Sequence, residues 1–142
     1  MAYAQFHEQV FMKIVAVSGY FIWIHVGHME YFKKASELGK VVVILNNDQQ
    51  QILKYGRIIV PFIERRKVLE GIKYIDRVIE SIDNDRTVCA SLEALQPRIF
   101  AKGGDRFEGE IPEKEICDKL GIRIIDGLGK KVQSSSELIK KL

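Results

Sequence analysis

No apolar run in this chain approaches the roughly 20 residues that cross a bilayer, and no charged-then-apolar leader opens it. A membrane or secreted protein is therefore not expected, and the cytoplasm is the default. Cysteine is scarce. Cys89 and Cys117 are the only two and form no CxxC pair, which argues against a disulfide scaffold or a zinc ribbon. Both fall in helix-like segments and are expected as buried free thiols. Histidine is nearly as rare, with His7, His25 and His28 lacking HxxxH spacing, so no metal site is expected. Net charge is only +3 with the basic residues dispersed, so nucleic acid is not an expected partner. With three prolines, no linker and no internal repeat, the 142 residues read as one domain, residues 1–142.

What the chain does have is an alternation of short apolar runs with helix-period segments. The first strand is expected from about Met12 to Ser18, after an aperiodic lead-in. A helix follows with Val26, Met29, Phe32 and Ala35 about one turn apart, and Leu38-Gly39-Lys40 stops it. Val41–Leu45 is a second buried strand. Residues 48–60 read as an active-site loop with room for a short helical turn. Pro61 suits the first position of a helix whose apolar face is Ile63, Val68, Leu69 and Ile72, with Glu64, Arg65, Arg66 and Lys67 mostly opposite. A third strand is expected around Arg77–Ile79, then a helix through Val88, Leu92 and Leu95, and a fourth strand over Arg98–Ala101. A helix from about Pro112 to Leu120, a fifth strand over Ile122–Ile125 and a last helix from Ser134 complete the pattern. The expected fold is three-layer α/β with about five parallel strands.

The most informative stretch joins the first strand to the first helix. Val15-Ala16-Val17 is apolar without alternation, as in a strand buried on both faces. Ser18-Gly19 breaks it, and the helix restarts near His25-Val26-Gly27-His28. Two imidazoles then sit at a helix start, where unpaired N–H groups and the macrodipole favour an anion. Gly27 has no side chain, so a ligand can approach the backbone. Packed histidines, or half of a zinc site, are the other readings of the same residues. The position after the first strand favours phosphate, since open parallel sheets bind ligands at the carboxyl ends of their strands.

His25-Val26-Gly27-His28, led in by Gly19-Tyr20-Phe21, resembles the HxGH signature of the nucleotidyltransferase superfamily. Ile22 stands where that family usually has Asp. Lys54…Arg57…Pro61…Glu64-Arg65 and Lys73-Tyr74-Ile75-Asp76-Arg77-Val78 are similar to further family segments. Lys102-Gly103-Gly104-Asp105 after the fourth strand is similar to sugar-phosphate adenylyltransferases, notably those acting on heptose 1-phosphate in lipopolysaccharide-core synthesis. Ser134-Ser135-Ser136 matches the hydroxyl triplet of the family's final motif; by itself, Ser134 with Glu137 is simply a capping box.

The resemblance implies a Rossmann-like strand order 3-2-1-4-5 and catalysis by His25, His28 and Lys54. It implies a nucleotide held by Gly19, Tyr20, Phe21, Gly27, Lys102, Gly103, Gly104, Asp105, Ser134, Ser135 and Ser136. Asn46, Asp48 and Arg57 would line the acceptor side. The expected reaction passes a nucleoside monophosphate, AMP from ATP by preference, to a sugar phosphate or similar acceptor, with Mg²⁺ accompanying the triphosphate and a homodimer as the assembly. A CTP-dependent cytidylyltransferase for glycerol phosphate or a similar alcohol phosphate is the first rival. An adenylyltransferase for a cofactor precursor such as flavin mononucleotide or phosphopantetheine is another, and a non-catalytic nucleotide-binding module is the rival from a different class.

Overall fold

The computed structural model describes residues 13–103 and 111–128. Five strands form one sheet: β1 (Ile14–Gly19), β2 (Lys40–Leu45), β3 (Arg77–Glu80), β4 (Ile99–Gly103) and β5 (Arg123–Leu128). Every pair is parallel and the order is β3-β2-β1-β4-β5, as expected. Five helices connect them: α1 (Val26–Ser36), α2 (Asp48–Tyr55), α3 (Phe62–Glu70), α4 (Cys89–Leu95) and α5 (Lys114–Leu120).

Strand residues alternate between two packed faces. Val15, Val17, Val43, Leu45 and Ala101 join Phe32, Ala35 and Leu69, which come from α1 and α3. Ala16, Ile44 and Phe100 point the other way, toward Leu92 and Cys117 of α4 and α5. With both faces covered, β1 and β2 need apolar side chains throughout, hence their unbroken runs. The reversal of strand order falls between β1 and β4. Pairing of β1 with β2 runs up to Gly19↔Leu45, whereas its pairing with β4 covers only Val15↔Ile99 and Ala16↔Phe100. Beyond those pairs β1 and β4 no longer pair, and this switch point at the carboxyl end of the sheet is where such folds bind ligands.

Several expectations need correction. Residues 48–55 form a helix rather than a loop, started by an Asn47–Gln50 capping box and ended by Gly56 at φ 80°. Its apolar periodicity is weak because it buries Gln50 and Gln51, while Ile52 and Leu53 face solvent. Pro61 is the residue before α3, not its first position, and Ile63 and Val68 are 52% and 57% exposed. The buried side chains of α3 are Leu69 and Arg65. Finally, Val26 is exposed and Cys89 is only half-buried, whereas Cys117 is fully buried. The expected final helix lies outside the described residues.

Arg65 is the largest of the fully buried side chains. Its guanidinium cannot shed its charge and must find acceptors for its N–H groups. Nε donates to Val60 O, Nη1 to Tyr20 O and Asn46 O, and Nη2 to Asp48 Oδ1, all at 2.8–2.9 Å. One side chain thus ties the ends of β1 and β2 to the start of α2 and the segment before α3. Removing it leaves three carbonyls and a carboxylate without their donor. Arg65→Ala should therefore lower stability by about 3 kcal/mol or more. Urea unfolding reads this directly, and a loss under about 1 kcal/mol would show that the network is not what holds these ends together.

Candidate active site

The turn from β1 into α1 is built by three residues that constrain one another. Phe21 adopts φ +47°, a left-handed conformation unusual for a residue with a side chain. Its ring is buried and packs edge-on against His28 at 5.1 Å and tilted against Phe32 at 5.2 Å. That packing offsets the backbone strain. It also explains Gly19, where a Cβ would lie 2.8 Å from Phe21 Cζ. Ile22, in the position where the resembling family has Asp, is buried, and the turn closes with it in place.

His25 is the N-cap of α1 and His28 its third residue, and the two form a capping box made of imidazoles. Gly27 N–H donates to His25 Nδ1 and His25 N–H donates to His28 Nδ1, both at 3.2 Å. The rings stack with centroids 3.8 Å apart. Because each Nδ1 accepts a backbone N–H, each neutral ring carries its proton on Nε2. The helix start thereby fixes which ring atoms are donors. Nε2 of His25 is buried and has no partner among the described residues. Such an orphan costs about 1–3 kcal/mol, and a phosphate oxygen at the N-terminus of this helix would satisfy it.

Burial lowers the pKa of both histidines. His28 falls to about 4, through burial first and the charge of His25 second. The bonding adds a reason, since a protonated Nδ1 could not accept its backbone N–H. Both rings are therefore neutral donors at pH 7.

The other expected site residues fall into separate groups. Gly27, whose N–H donates to His25 Nδ1, is buried. Tyr20 points away from them: its hydroxyl donates to Gln50 O at 3.4 Å and its ring meets Tyr55 edge-on. Lys54, in the last turn of α2, lies 4.6 Å from the Tyr20 ring centroid and 5.2 Å from that of Tyr55. Arg57 is exposed in the segment after α2. Asn46 is buried and its side-chain amide donates to Gln50 Oε1. Asp48 Oδ1 accepts from Arg65, from Phe62 N–H and from Gln51, so this oxygen organises α2 and α3. Lys102 Nζ lies 4.9 Å from the Phe100 ring centroid near the end of β4, and a Cβ at Gly103 would meet nothing within 4 Å. Gly104, Asp105, Ser134, Ser135 and Ser136 lie outside the described residues.

Sequence reasoning missed several residues that shape the site. Asn47 donates to Ser81 O and Asp83 O, while Gln50 Nε2 donates to Asp85 O and Thr87 O. These four bonds seat the 81–87 segment against α2. Asp83, buried, accepts from Ala90 N–H and Ser91 N–H and so caps α4 from a distance. The Asn-x-x-Gln spacing at residues 47–50 was the available signal. No group of three or more His, Cys, Asp or Glu with a metal-binding arrangement is found among the described residues.

A parallel sheet ordered 3-2-1-4-5, with two imidazoles capping the helix that follows β1, is an α/β arrangement that places ring N–H donors at a helix start beside the switch point. The chain belongs to the cytidylyltransferase-like family, whose model matches residues 16–139. The family identifies it as a nucleotidyltransferase, the enzyme class expected from its sequence. It is 29% identical over 138 residues to the bifunctional protein HldE of Geotalea uraniireducens and 30% identical over 138 residues to that of Geobacter metallireducens. Each alignment covers 92% of this chain and 27% of the relative, so the chain spans about a quarter of their length. The FAD synthase of Ferroglobus placidus is 29% identical over 112 residues, covering 79% of this chain and 72% of that protein. The crystal structure of the lipopolysaccharide core biosynthesis protein from Thermoplasma volcanium shares the fold, with TM-score 0.69 and 24% identity over 84% of this chain and 99% of that one.

Two outcomes follow from this geometry. Gly19→Ala pushes a Cβ into the buried Phe21 ring, so it should destabilise the domain by about 1–3 kcal/mol. An unchanged unfolding midpoint would mean the ring is free to move and does not position His28. The second concerns pH. A depressed histidine pKa means the unfolded chain takes up its proton first, so the contribution of His28 to stability is full above about 6.5 and is lost as pH falls towards 4. Imidazole NMR of the free protein should show one ring neutral with its proton on Nε2 down to about pH 5; titration of His28 near 6.5 would contradict the bonding described.

Proposed function

We propose that this domain transfers AMP from ATP to a sugar phosphate or a similar phosphate-bearing acceptor and releases pyrophosphate. The observation that carries the reading is the pair of imidazoles whose Nδ1 atoms are occupied by the start of α1, leaving Nε2–H groups as donors, that of His25 unpartnered among the described residues. The adenylyl preference and the sugar-phosphate acceptor draw support from Lys102-Gly103-Gly104-Asp105 and from the likeness to HldE across 92% of the chain.

An acceptor phosphate oxygen attacks the α-phosphorus, the bond from that phosphorus to the bridging oxygen breaks, and pyrophosphate leaves with the electron pair. The acceptor phosphate is anionic at neutral pH and needs no general base. The protein's part is positioning and charge stabilisation. His25 and His28 donate from Nε2 to α- and β-phosphate oxygens as negative charge builds there, without giving up their protons. Lys54, in the last turn of α2, and Arg57, just after that helix, supply cations. Mg²⁺ would accompany the triphosphate and neutralise part of its charge.

Pyrophosphate release, assayed with the four nucleoside triphosphates against a panel of sugar, polyol and flavin phosphates, tests the reading. ATP with a sugar phosphate should be the active combination. CTP with glycerol phosphate would select the cytidylyltransferase reading, ATP with flavin mononucleotide a cofactor-precursor reading, and nucleotide binding without pyrophosphate a non-catalytic module. His28→Ala removes a preorganised donor and should lower kcat about 10²-fold or more with nucleotide saturating. Turnover near the wild-type rate would remove His28 from catalysis.

A further inference from the structure

Tyr31 is a buried side chain that the transfer chemistry does not use. It lies in α1 three residues after His28, which is about 4.5 Å further along the same helix axis. Its ring stacks on that of Phe32 with centroids 5.7 Å apart. Its hydroxyl leaves the helix and donates to Ala101 O of β4. A buried phenol needs an acceptor, and that need alone would explain the bond. What sets this acceptor apart is its place in β4.

Pairing of β4 with β1 ends at Ala16↔Phe100, so Ala101 is the first residue past it. On the other edge β4 pairs in register with β5 as far as Ala101↔Ile125, and the next pair is Gly103↔Leu128. There β5 takes three residues where β4 takes two, a bulge that includes Gly127 at φ +78°. β4 thus leaves its regular register on both sides at one residue, and a side chain from the histidine helix bonds it at that residue. Lys102 and Gly103 complete the strand beyond it, both half-buried. A Cβ at Gly103 would meet nothing within 4 Å, so the space beside it is open. A strand end out of register with its neighbours has no fixed height over the sheet. One hydrogen bond to a packed helix gives it one.

We infer that Tyr31 is a positioning residue, whose bond to Ala101 O holds the end of β4 at a set distance from the imidazoles at the start of α1, so that one nucleotide meets both. The inference rests on the transfer reaction proposed above, in which His25 and His28 touch the phosphates. Tyr31 itself touches no substrate and acts through Lys102 and Gly103. Without its bond, the span between the imidazoles and the strand end must be re-formed each time a nucleotide binds, which weakens binding. The two capping bonds of the histidines do not involve Tyr31, so the chemistry that follows binding is left intact.

The test uses the full chain with α,β-methylene analogues of ATP and CTP, whose α–β bridge cannot be cleaved, and the tighter binder is used throughout. Tyr31→Phe keeps the ring and removes the hydroxyl. Calorimetry should show the analogue bound about threefold to tenfold more weakly, the range expected for one neutral hydrogen bond. In turnover, KM for the triphosphate should rise by the same factor while kcat stays close to the wild-type value. Unchanged analogue affinity in folded Tyr31→Phe overturns the inference and leaves the hydroxyl a structural role only. A loss that falls on kcat and spares KM overturns it too. The wild type supplies a readout that needs no variant: adding the analogue should move the amide NMR signals of Lys102 and Gly103 together with those of Gly27 and His28. Signals at the end of β4 that ignore a bound analogue also sink the inference. Failure of the transfer reading looks different, as analogue binding that still depends on Tyr31 with no pyrophosphate released for any acceptor. A wild type that binds neither analogue removes both.

Discussion

The site depends on an arginine that cannot be neutralised and cannot reach water. Buried under the carboxyl end of the sheet, Arg65 draws Tyr20 O and Asn46 O to a single nitrogen, and those carbonyls lie just past the last residues of β1 and β2. Strand ends are where a parallel sheet stops dictating chain direction, and here a guanidinium takes over. Asp48 completes the arrangement, with one oxygen accepting from Arg65 and from the first residue of α3. Apolar side chains of equal volume often serve stability as well as a buried ion pair does. They would not supply donors aimed at three carbonyls from three different segments.

On that base two neighbouring structures at the carboxyl end of the sheet are built by different means. The histidine turn is aromatic and strained: Gly19 leaves room for Phe21, Phe21 accepts a left-handed backbone, and its ring packs on His28. The segment after β3 is held by amides, with Asn47 and Gln50 binding residues 81–87 by their carbonyls. Rigid elements carry both, which is the condition for placing charged groups accurately around an anion.

Much of this was legible in the sequence. The buried strands announce themselves as Val15-Ala16-Val17 and Val41–Leu45, because a sheet covered on both faces has no polar positions to interrupt the run. The strand–helix alternation and the histidines' place at a helix start followed from the same reasoning, and the strand order came from the family resemblance. What escaped was polar burial. Hydrophobic periodicity assumes that buried means apolar, so α2, which buries Gln50 and Gln51, read as a loop, and Arg65 was put on the solvent side of α3. Asp48 drew attention as an acceptor-side residue, yet one of its oxygens has three partners inside the protein. A hydrogen bond between distant residues leaves no period in a sequence. The Asn47–Gln50 capping box was the single local trace of that network.

The imidazole capping box carries a consequence for how the domain responds to what it binds. In most helices the residues that secure the first turn are separate from those that touch a ligand. Here Nδ1 of each ring secures α1, and Nε2 of the same ring is the atom left for a ligand. Occupancy of the proposed site and helix order would then be one equilibrium. An anion that holds the rings in place would also suppress fraying of the first turn, and a frayed first turn would have no site to offer. Slow exchange of the Gly27 amide with solvent, whose partner is His25 Nδ1, would then report occupancy.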